Sequence, residues 1–336
     1  MRVVVLHNAV SENDSPEDQD VLVQVAVVSE ALRQLGHEPL AIPCTLDLAA
    51  MQADLLQARP DVVFNLVESL AGDDSLAHLA PAVLDALNLP YTGNPTAATF
   101  LASHKLLAKE RLVQAGLPTP AWIVVPPQAV GRSCTPPEAV GRSSTSWIIK
   151  GVWEQSSRDL DEHSIVTGVD GEALLALLRE RAARLRRRCY AEQFIPGREF
   201  NIAVLDGPAG PQVLAPAEID FSAFPPGKPR IVGYRAKWQA DSFEYQNTPH
   251  RFEFPAAEQP LLGQLRSLSL KCWELFALRG YARVDFRVDP SARPWILEIN
   301  ANPCLSPDAG FAAALQQTSI TFEQAIARVL ERAGTS

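Results

Sequence analysis

The sequence predicts an α/β protein with a parallel sheet near the N-terminal end and two α+β lobes after it. Residues 1–98 alternate between apolar strand patterns and helical apolar spacing. A chain of 336 residues is too long for one typical hydrophobic core, so two or three packed parts are expected. Two patterns near the C-terminal end alternate polar and apolar residues, as paired strands with one buried face do.

The first part, residues 1–98, is predicted to be an open layer of parallel strands and helices. Gly36 ends the first of the helices, as glycine commonly does. The loops that follow strands in such a sheet form its ligand-facing edge, here residues 7–20 and 66–75. The expected elements are strand 2–6, helix 21–35, strand 38–42, helix 46–57, strand 61–65 and helix 76–87.

The second part, residues 99–191, contains a short tandem duplication. Residues 126–133 recur with one change as residues 136–143. Both copies are rich in proline, glycine and serine, which predicts an exposed loop without a catalytic role. The elements expected around this loop are helix 103–114, strand 121–125, strand 147–150, helix 172–185 and strand 189–192.

The third part, residues 192–336, combines strands with two helices. Residues 221–249 are rich in proline, glycine and aromatic residues and show little periodicity. Long segments of this kind within a compact domain are often lids over an active site, and we expect one here. The elements expected around it are strands 200–205, 212–215, 281–288 and 295–299, and helices 258–278 and 322–333.

Composition excludes several classes of protein. The net charge of −9 disfavours a nucleic-acid partner, because no basic face is implied. No apolar run reaches about 18 residues, so a membrane-spanning helix is not expected. The initial apolar run is too short for a secretion signal. The cysteines lack C-x-x-C spacing and are interpreted as free thiols in a reducing cytoplasm; they are Cys44, Cys134, Cys189, Cys272 and Cys304.

The two alternating strand patterns near the C-terminal end predict a metal site. Arg283, Asp285 and Arg287 share one face of the first strand, and Glu298 and Asn300 share one face of the second. Paired strands would gather two carboxylates, an amide oxygen and a guanidinium. Mg²⁺ prefers such hard oxygen ligands together with phosphate oxygens. The apolar neighbours of Glu298 disfavour the alternative, a salt-bridge patch on the surface.

Three lysines far apart in the sequence are candidates for phosphate binding. Lys105 lies in a predicted helix, Lys150 ends a buried strand, and Lys237 lies in the expected lid. Lys150 precedes a short polar loop with the pair Ser156 and Ser157, and this arrangement suits a phosphate. Taken singly, each lysine is more often a solvated surface residue.

A Pro-Gly turn at residues 196–197 separates two predicted strands that carry Glu192 and Glu199. These carboxylates would then lie at the two ends of a hinge. An apolar pocket with exposed backbone groups and an acid suits an adenine ring, and Glu199 could accept hydrogen bonds from ribose hydroxyls. An ordinary hairpin is the alternative.

Together these residues resemble the ATP-grasp ligases, and among them the D-alanine–D-alanine ligases, over nearly the whole chain. The resemblance implies an ATP-grasp fold with an N-terminal α/β domain at 1–98, a central lobe at 99–191 and a C-terminal lobe with the metal site at 192–336. ATP is the implied co-substrate, with two Mg²⁺ ions that Mn²⁺ could replace. The positions that match the family are Lys105, Lys150 and Ser157 for the nucleotide, Glu192, Gln193, Phe194 and Ile195 for the adenine hinge, Glu199 for ribose, Lys237 and Ser156 for the reacting phosphate, Arg283 for the oxyanion, and Asp285, Glu298 and Asn300 for magnesium.

The resemblance implies a reaction in two steps. A donor carboxylate attacks the γ-phosphate of ATP to give an acyl-phosphate and ADP, and an amine then attacks the acyl carbon and displaces phosphate. An amino acid or small peptide is the expected substrate, and a homodimer is left open. Two alternatives remain: a small-molecule kinase of the same fold, which would release no free phosphate, and a nucleotide-binding regulator without catalysis.

Departures from the family pattern concentrate around the amino-acid substrates. Gly151 follows the second lysine where the family has proline, Trp238 follows the lid lysine in place of tyrosine, and Cys304 stands where a glycine is usual. We therefore expect nucleotide binding to follow the family and D-alanine–D-alanine synthesis to be poor. The first loop lacks the family's Glu-x-x-Val-Ser motif, and three acids are expected to hold a substrate amine instead: Glu17, Asp18 and Asp20.

Overall fold

The structure is a computed structural model that describes residues 1–125 and 145–334. The tandem duplication at 126–143 falls outside these residues. Within the described part of the chain, no helix is both long enough and apolar enough to cross a lipid bilayer.

The N-terminal layer is a three-stranded parallel sheet in the order β2-β1-β3 with helices on both faces. Its elements are β1 (Arg2–Asn8), α1 (Pro16–Gln34), β2 (Glu38–Cys44), α2 (Leu48–Ala58), β3 (Val62–Asn65) and α3 (Leu79–Ala86). The predicted parallel layer is confirmed. Helix α1 begins five residues earlier than predicted, because Pro16 suits a first helical turn and the charges of Glu17 and Asp18 favour a helix N-terminus.

The next part forms a four-stranded antiparallel sheet in the order β4-β7-β5-β6. Its elements are α4 (Thr96–Ser103), α5 (Lys105–Gln114), β4 (Trp122–Ile123), β5 (Trp147–Gly151), β6 (Ile165–Val166), α6 (Gly171–Leu185) and β7 (Cys189–Gln193). The helix predicted over 103–114 is observed as α5, which begins two residues later, whereas α4 before it was not predicted. His104 is extended, and its Nδ1 accepts the N–H of Leu107, so it caps α5 and separates it from α4.

The C-terminal part forms a larger antiparallel sheet in the order β11-β10-β8-β12-β13, with β9 paired to β8. Its elements are β8 (Arg198–Leu205), β9 (Gln212–Val213), β10 (Ala217–Ile219), α7 (Tyr234–Trp238), α8 (Phe243–Gln246), β11 (His250–Arg251), α9 (Gln259–Leu275), β12 (Tyr281–Val288), β13 (Pro294–Asn300), α10 (Gly310–Gln317) and α11 (Phe322–Glu331). Helix α9 covers the sheet. The segment expected to lack regular structure holds the short helices α7 and α8.

The link between β7 and β8 crosses from one antiparallel sheet to the other, so the hairpin alternative was wrong. Gly197 makes this crossing possible, because its φ is +132° and a Cβ there would lie 2.1 Å from the carbonyl oxygen of Val288. The last helix, α11, packs into the same core as α1 and the N-terminal sheet. The first and last elements of the chain therefore share one core. A cavity opens between the N-terminal layer and the two antiparallel sheets.

Candidate active site

A cavity of about 390 Å³ is lined by residues from all three parts of the chain. Every residue that the sequence assigned to the nucleotide, the metal ions or the oxyanion lines it. From the part of the chain before β8 these are Lys105, Lys150, Ser156, Ser157, Glu192, Gln193, Phe194 and Ile195, and from the later part they are Glu199, Lys237, Arg283, Asp285, Glu298 and Asn300. The structure therefore brings together side chains almost 200 positions apart in the sequence.

The predicted metal group lies across β12 and β13, which pair antiparallel with Asp285 opposite Glu298 and Arg283 opposite Asn300. Asp285 is 5% exposed, so this group is not a surface salt-bridge patch. Its carboxylate accepts two hydrogen bonds from Arg283 at 2.7 and 2.8 Å, one from Asn300 at 3.0 Å and one from Asn201 at 2.8 Å. These contacts fix the plane of the carboxylate.

Glu298 forms an ion pair with Lys105 of α5. Burial works to raise the pKa of Glu298, but the charges of Lys105, Lys237 and Lys150 outweigh it and hold that pKa well below its ordinary value. The carboxylate is therefore ionised at neutral pH, and it faces a cluster of lysines that an anionic group could share.

Lys150 is held by Glu192, whose carboxylate it meets at 2.7 Å. The other oxygen of Glu192 lies 2.5 Å from Lys109, and both of those side chains are 1% exposed. The two lysine charges lower the pKa of Glu192 although burial opposes them. The side chain of Glu192 is thus committed to orienting Lys150. Sequence reasoning missed Lys109, although its spacing of four residues from Lys105 places both on one face of α5.

Sequence reasoning also missed Glu154, whose contact with Gly151 explains why this chain has glycine where the family has proline. The N–H of Gly151 donates to the Glu154 carboxylate at 2.9 Å, and a proline in that position would have no N–H to donate. Burial raises the pKa of Glu154 to about 7, and this hydrogen bond and the charge of Lys105 oppose the rise.

Lys237 of α7 differs from Lys105 and Lys150, the other two lysines that line the cavity, because those two form ion pairs with carboxylates. Within residues 1–125 and 145–334, no acidic side chain forms an ion pair with it, although it lines the cavity. Burial and the nearby charge of Arg283 lower its pKa. A negatively charged ligand would relieve both effects, so Lys237 is available to a phosphate.

Arg287 supports the predicted adenine hinge, a role that sequence reasoning missed. Its guanidinium donates to the carbonyl oxygens of Ile195 at 3.0 Å and Gly197 at 3.2 Å, and it lies 5.2 Å from the ring of Phe194. It also pairs with Glu199 at 3.1 Å. Arg287 therefore fixes the backbone of the hinge, although it shares a strand face with Asp285.

The acids of the first loop do not act as one group, and this corrects the expectation that all three hold a substrate amine. Glu17 and Asp18 form ion pairs with Arg158, at 3.2 and 2.9 Å. Glu17 also accepts the hydroxyl of Tyr234 at 2.7 Å. Only Asp20 of the three lines the cavity.

Asp20 and Glu68, here called the acid pair, lie on the N-terminal side of the cavity. One amide, that of Gln24, donates to both carboxylates at 3.2 and 2.9 Å. Burial raises the pKa of Glu68 to about 7, and the charge of Asp20 adds to the rise. Among the described residues, neither acid has a lysine, arginine or histidine as an ion-pair partner. Glu68 was missed, although it lies in a loop that the sequence marked as ligand-facing.

The cavity thus has three regions of different chemistry. The hinge of β7 and β8 offers backbone groups and Phe194, the lysines face Glu298 and Asp285, and the acid pair lies at the N-terminal side. An adenine ring, a chain of phosphates and an ammonium group suit these regions in turn. The arrangement can hold a nucleotide triphosphate next to an amine-bearing molecule.

Two solved structures share this architecture over nearly the whole chain. D-alanine–D-alanine ligase from Bacillus anthracis complexed with ATP has a TM-score of 0.72 and 18% identity, covering 99% of this chain and 97% of that one. D-alanyl-alanine synthetase A from Vibrio cholerae has a TM-score of 0.73 and 15% identity, covering 98% and 97%. The fold is ATP-grasp, which confirms the predicted fold class.

The sequence comparisons narrow the class to a family. The family model for the D-ala D-ala ligase C-terminus matches residues 112–331. D-alanine–D-alanine ligase from Hydrogenovibrio crunogenus is 30% identical over 91% of this chain and 87% of its own length, and that from Synechococcus sp. (strain JA-2-3B'a(2-13)) is 29% identical over 99% and 93%. The chain belongs to the D-alanine–D-alanine ligase family. It is an ATP-dependent carboxylate–amine ligase, which disfavours the kinase and regulator alternatives.

Proposed function

We propose that this ligase joins the carboxylate of an amino acid or small peptide to an amine, using ATP and Mg²⁺. The observation that carries the proposal is the distribution of unpaired charge in one cavity. Lys237 has no carboxylate partner among the described residues, and the acid pair has no cationic one. ATP and a substrate ammonium would compensate these two charges. Use of ATP and the free thiols of the described cysteines support a cytoplasmic location.

The nucleotide is assigned to the region between the two antiparallel sheets. We place adenine against residues 192–195 and ribose at Glu199, because Arg287 fixes the backbone of this hinge and pairs with Glu199. The phosphates are assigned to the lysines at the other end of the cavity and to the serine pair; these residues are Lys105, Lys150, Lys237, Ser156 and Ser157.

Asp285, Glu298 and Asn300 fit Mg²⁺, which we propose as two ions. No cluster of three or more His, Cys, Asp or Glu side chains that could hold a metal occurs in the described part of the chain. Mg²⁺ needs no such cluster, because it is usually held by one or two carboxylates together with substrate phosphates. The amide of Asn300 donates to Asp285, so its oxygen remains as a ligand. When bound, Mg²⁺ would neutralise phosphate charge.

The chain's own residues act on both steps of the proposed reaction. The donor carboxylate attacks the γ-phosphate, the bond to ADP breaks, and Lys237 compensates the charge on the transferred phosphoryl group. An amine then attacks the acyl carbon, and Arg283 stabilises the tetrahedral oxyanion before phosphate leaves. Loss of one such stabilising group typically costs about 3 kcal/mol of barrier, or roughly 10²-fold in rate.

The substrate assignment rests on the acid pair and on two neighbouring residues. We propose that Asp20 and Glu68 receive a substrate ammonium. The relatives are named for D-alanine, but we propose poor D-alanine dimer synthesis by this chain. The indole N–H of Trp238 donates to the carbonyl oxygen of Ser156 at 2.9 Å, so it is not available to a substrate. The thiol of Cys304 lines the cavity 3.0 Å from Asp20, at a position where the family usually has glycine.

A screen of amino acids and dipeptides tests the function. Release of ADP and free phosphate in equal amounts, together with an amide product, supports the ligase, whereas ADP without free phosphate would indicate a kinase. D-Alanine as sole substrate should give turnover below about 1 s⁻¹, the lower end for typical enzymes. Faster turnover would refute the specificity assignment and leave the ligase assignment intact.

Two conservative substitutions test the metal group. Asp285→Asn and Glu298→Gln should abolish ADP release while circular dichroism still shows a folded protein, because each removes a carboxylate ligand at nearly constant size. ADP release at the wild-type rate in saturating Mg²⁺ by either variant would contradict the site assignment.

A further inference from the structure

The polar loop after β5, residues 155–160 and here called the phosphate loop, has an unusual backbone. Ser156, Ser157 and Asp159 have φ values of 57°, 56° and 62°, in the left-handed region that favours glycine. Such residues persist only where their surroundings hold them. The shape of the phosphate loop must therefore be maintained by contacts from outside it.

One set of contacts comes from the lid, residues 221–249. The Trp238 indole donates to the Ser156 carbonyl oxygen, and the Ser157 hydroxyl donates to that of Val232, both at 2.9 Å. The close approach requires Gly233, because a Cβ there would lie 2.6 Å from the carbonyl oxygen of Leu160. The lid therefore holds the serine pair from one side.

The second set of contacts passes through Arg158. Its guanidinium pairs with Glu17 at 3.2 Å and with Asp18 at 2.9 Å, so it binds the phosphate loop to the N-terminal layer. The other oxygen of Glu17 accepts the hydroxyl of Tyr234, a lid residue, at 2.7 Å. The backbone N–H of Gln155 donates to the Asp74 carboxylate at 3.0 Å, and this hydrogen bond also joins the phosphate loop to the N-terminal layer. Three segments distant in sequence thus meet at one ion-pair group.

We propose that Arg158 is a positioning residue that holds the phosphate loop in its nucleotide-binding shape by tying it to the N-terminal layer and, through Glu17, to the lid. The inference rests on the proposed function, since it takes the serine pair as phosphate contacts. Arg158 lies between the two serines and Asp159 in this strained loop and forms both ion pairs to the layer. A planar guanidinium can reach two carboxylates at once, which a lysine ammonium does less well.

The contacts of Arg158 also affect the region that is assigned to the substrate amine. Glu17 and Asp18 lie in the first turn of α1, the same helix that carries Asp20 of the acid pair. Occupation of the acid pair and correct shaping of the phosphate loop therefore depend on the same docked position of α1. Binding of the nucleotide and binding of the amine are expected to strengthen each other, and such coupling is reciprocal.

Calorimetric titration of the full chain with two probes tests the role of Arg158. The probes are a non-hydrolysable ATP analogue with Mg²⁺, and adenosine, which lacks phosphates. Arg158→Gln should weaken the analogue at least tenfold and leave adenosine within twofold of wild type, because only the phosphate end is disturbed. The affinity of Arg158→Lys for the analogue should fall between those of wild type and Arg158→Gln. Arg187→Gln is the matched control, since Arg187 is 41% exposed and lies 3.9 Å from Asp159 without an ion pair to the N-terminal layer.

A second variant approaches the same contact from the other side. Glu17→Gln with Asp18→Asn leaves the loop sequence unchanged and should produce the same phosphate-selective loss, which also covers the case in which Arg158→Gln folds poorly. Wild-type affinity for the analogue in both variants, or equal weakening of adenosine, would overturn the positioning role. Failure of the wild-type protein to bind the analogue would instead refute the proposed function.

Discussion

Replacing Glu68 by glutamine removes an ionisable group from the acid pair and keeps its size and an acceptor for the Gln24 amide. The pKa of Glu68 is raised from 4.5 to about 7, first by burial and then by the charge of Asp20 and, more weakly, of Asp74 and Asp18. The folded state thus binds this proton more tightly than the unfolded chain does. The carboxyl is neutral in both states below about pH 4.5, and no penalty applies there.

Stability should then fall as the pH rises from about 4.5 to 7, since the folded protein must ionise a buried carboxyl that the unfolded chain ionises freely. The full shift corresponds to about 3 kcal/mol in the free energy of unfolding. That figure is an upper bound, because Glu68 is only half-buried and water at the cavity wall screens its charge. Glu68→Gln should therefore be more stable than wild type by about 1–3 kcal/mol at pH 8 and nearly equal at pH 4.5.

Urea unfolding of both proteins at pH 4.5, 6, 7 and 8 measures this difference. Glu38→Gln, at an exposed position on β2, is the control for loss of a carboxylate and should show no such trend. A stability difference that does not change with pH would refute the reasoning. If Glu68 also receives a substrate ammonium, the same variant should show a raised KM for the amine-bearing substrate, so a gain in stability would accompany a loss of function.

Two further predictions concern residues away from the acid pair. Lys109→Met should lower the free energy of unfolding by about 3–5 kcal/mol in urea titrations, because it removes one cation from the buried Glu192 carboxylate; a change below about 1 kcal/mol would contradict this. Deleting residues 134–143 removes one copy of the duplication and should leave kcat/KM within tenfold of wild type, because loop closure changes by only about 0.6 kcal/mol per doubling of length. A larger loss at normal thermal stability would show that this segment affects the site.

Strand periodicity alone predicted the bounds of the two strands that hold the proposed metal ligands. The bounds of β12 agree with the expected 281–288, and β13 extends the expected 295–299 by one residue at each end. Alternation is a local property, so it could be recognised without knowing what the strands pack against. The antiparallel register then places Asp285 opposite Glu298, which neither strand pattern specifies alone.

Among the elements that were missed, β10 and β11 depend on a partner strand. They contain three and two residues, too few for a periodic pattern; β10 forms on the edge of β8, and β11 forms on the edge of β10. The separation of α4 from α5 depends on the backbone and side chain of His104, which helical propensity does not reveal. Arg287 could be placed on a strand face, but its carbonyl partners come from the crossing at Gly197.

Residue type alone did not show which charges remain for the substrates. The sequence marks Glu17, Asp18 and Asp20 as equal candidates for an amine, yet Arg158 forms ion pairs with the first two from a position 140 residues away from Asp18. The sequence also offers no reason to distinguish the three candidate lysines, whereas in the structure Lys150 pairs with Glu192 and Lys105 pairs with Glu298. A desolvated charge without a partner gains more from a ligand than a charge that is already paired inside the protein. We therefore expect the ligands to bring negative charge to Lys237 and positive charge to the acid pair, and ATP with an amine-bearing substrate meets both expectations.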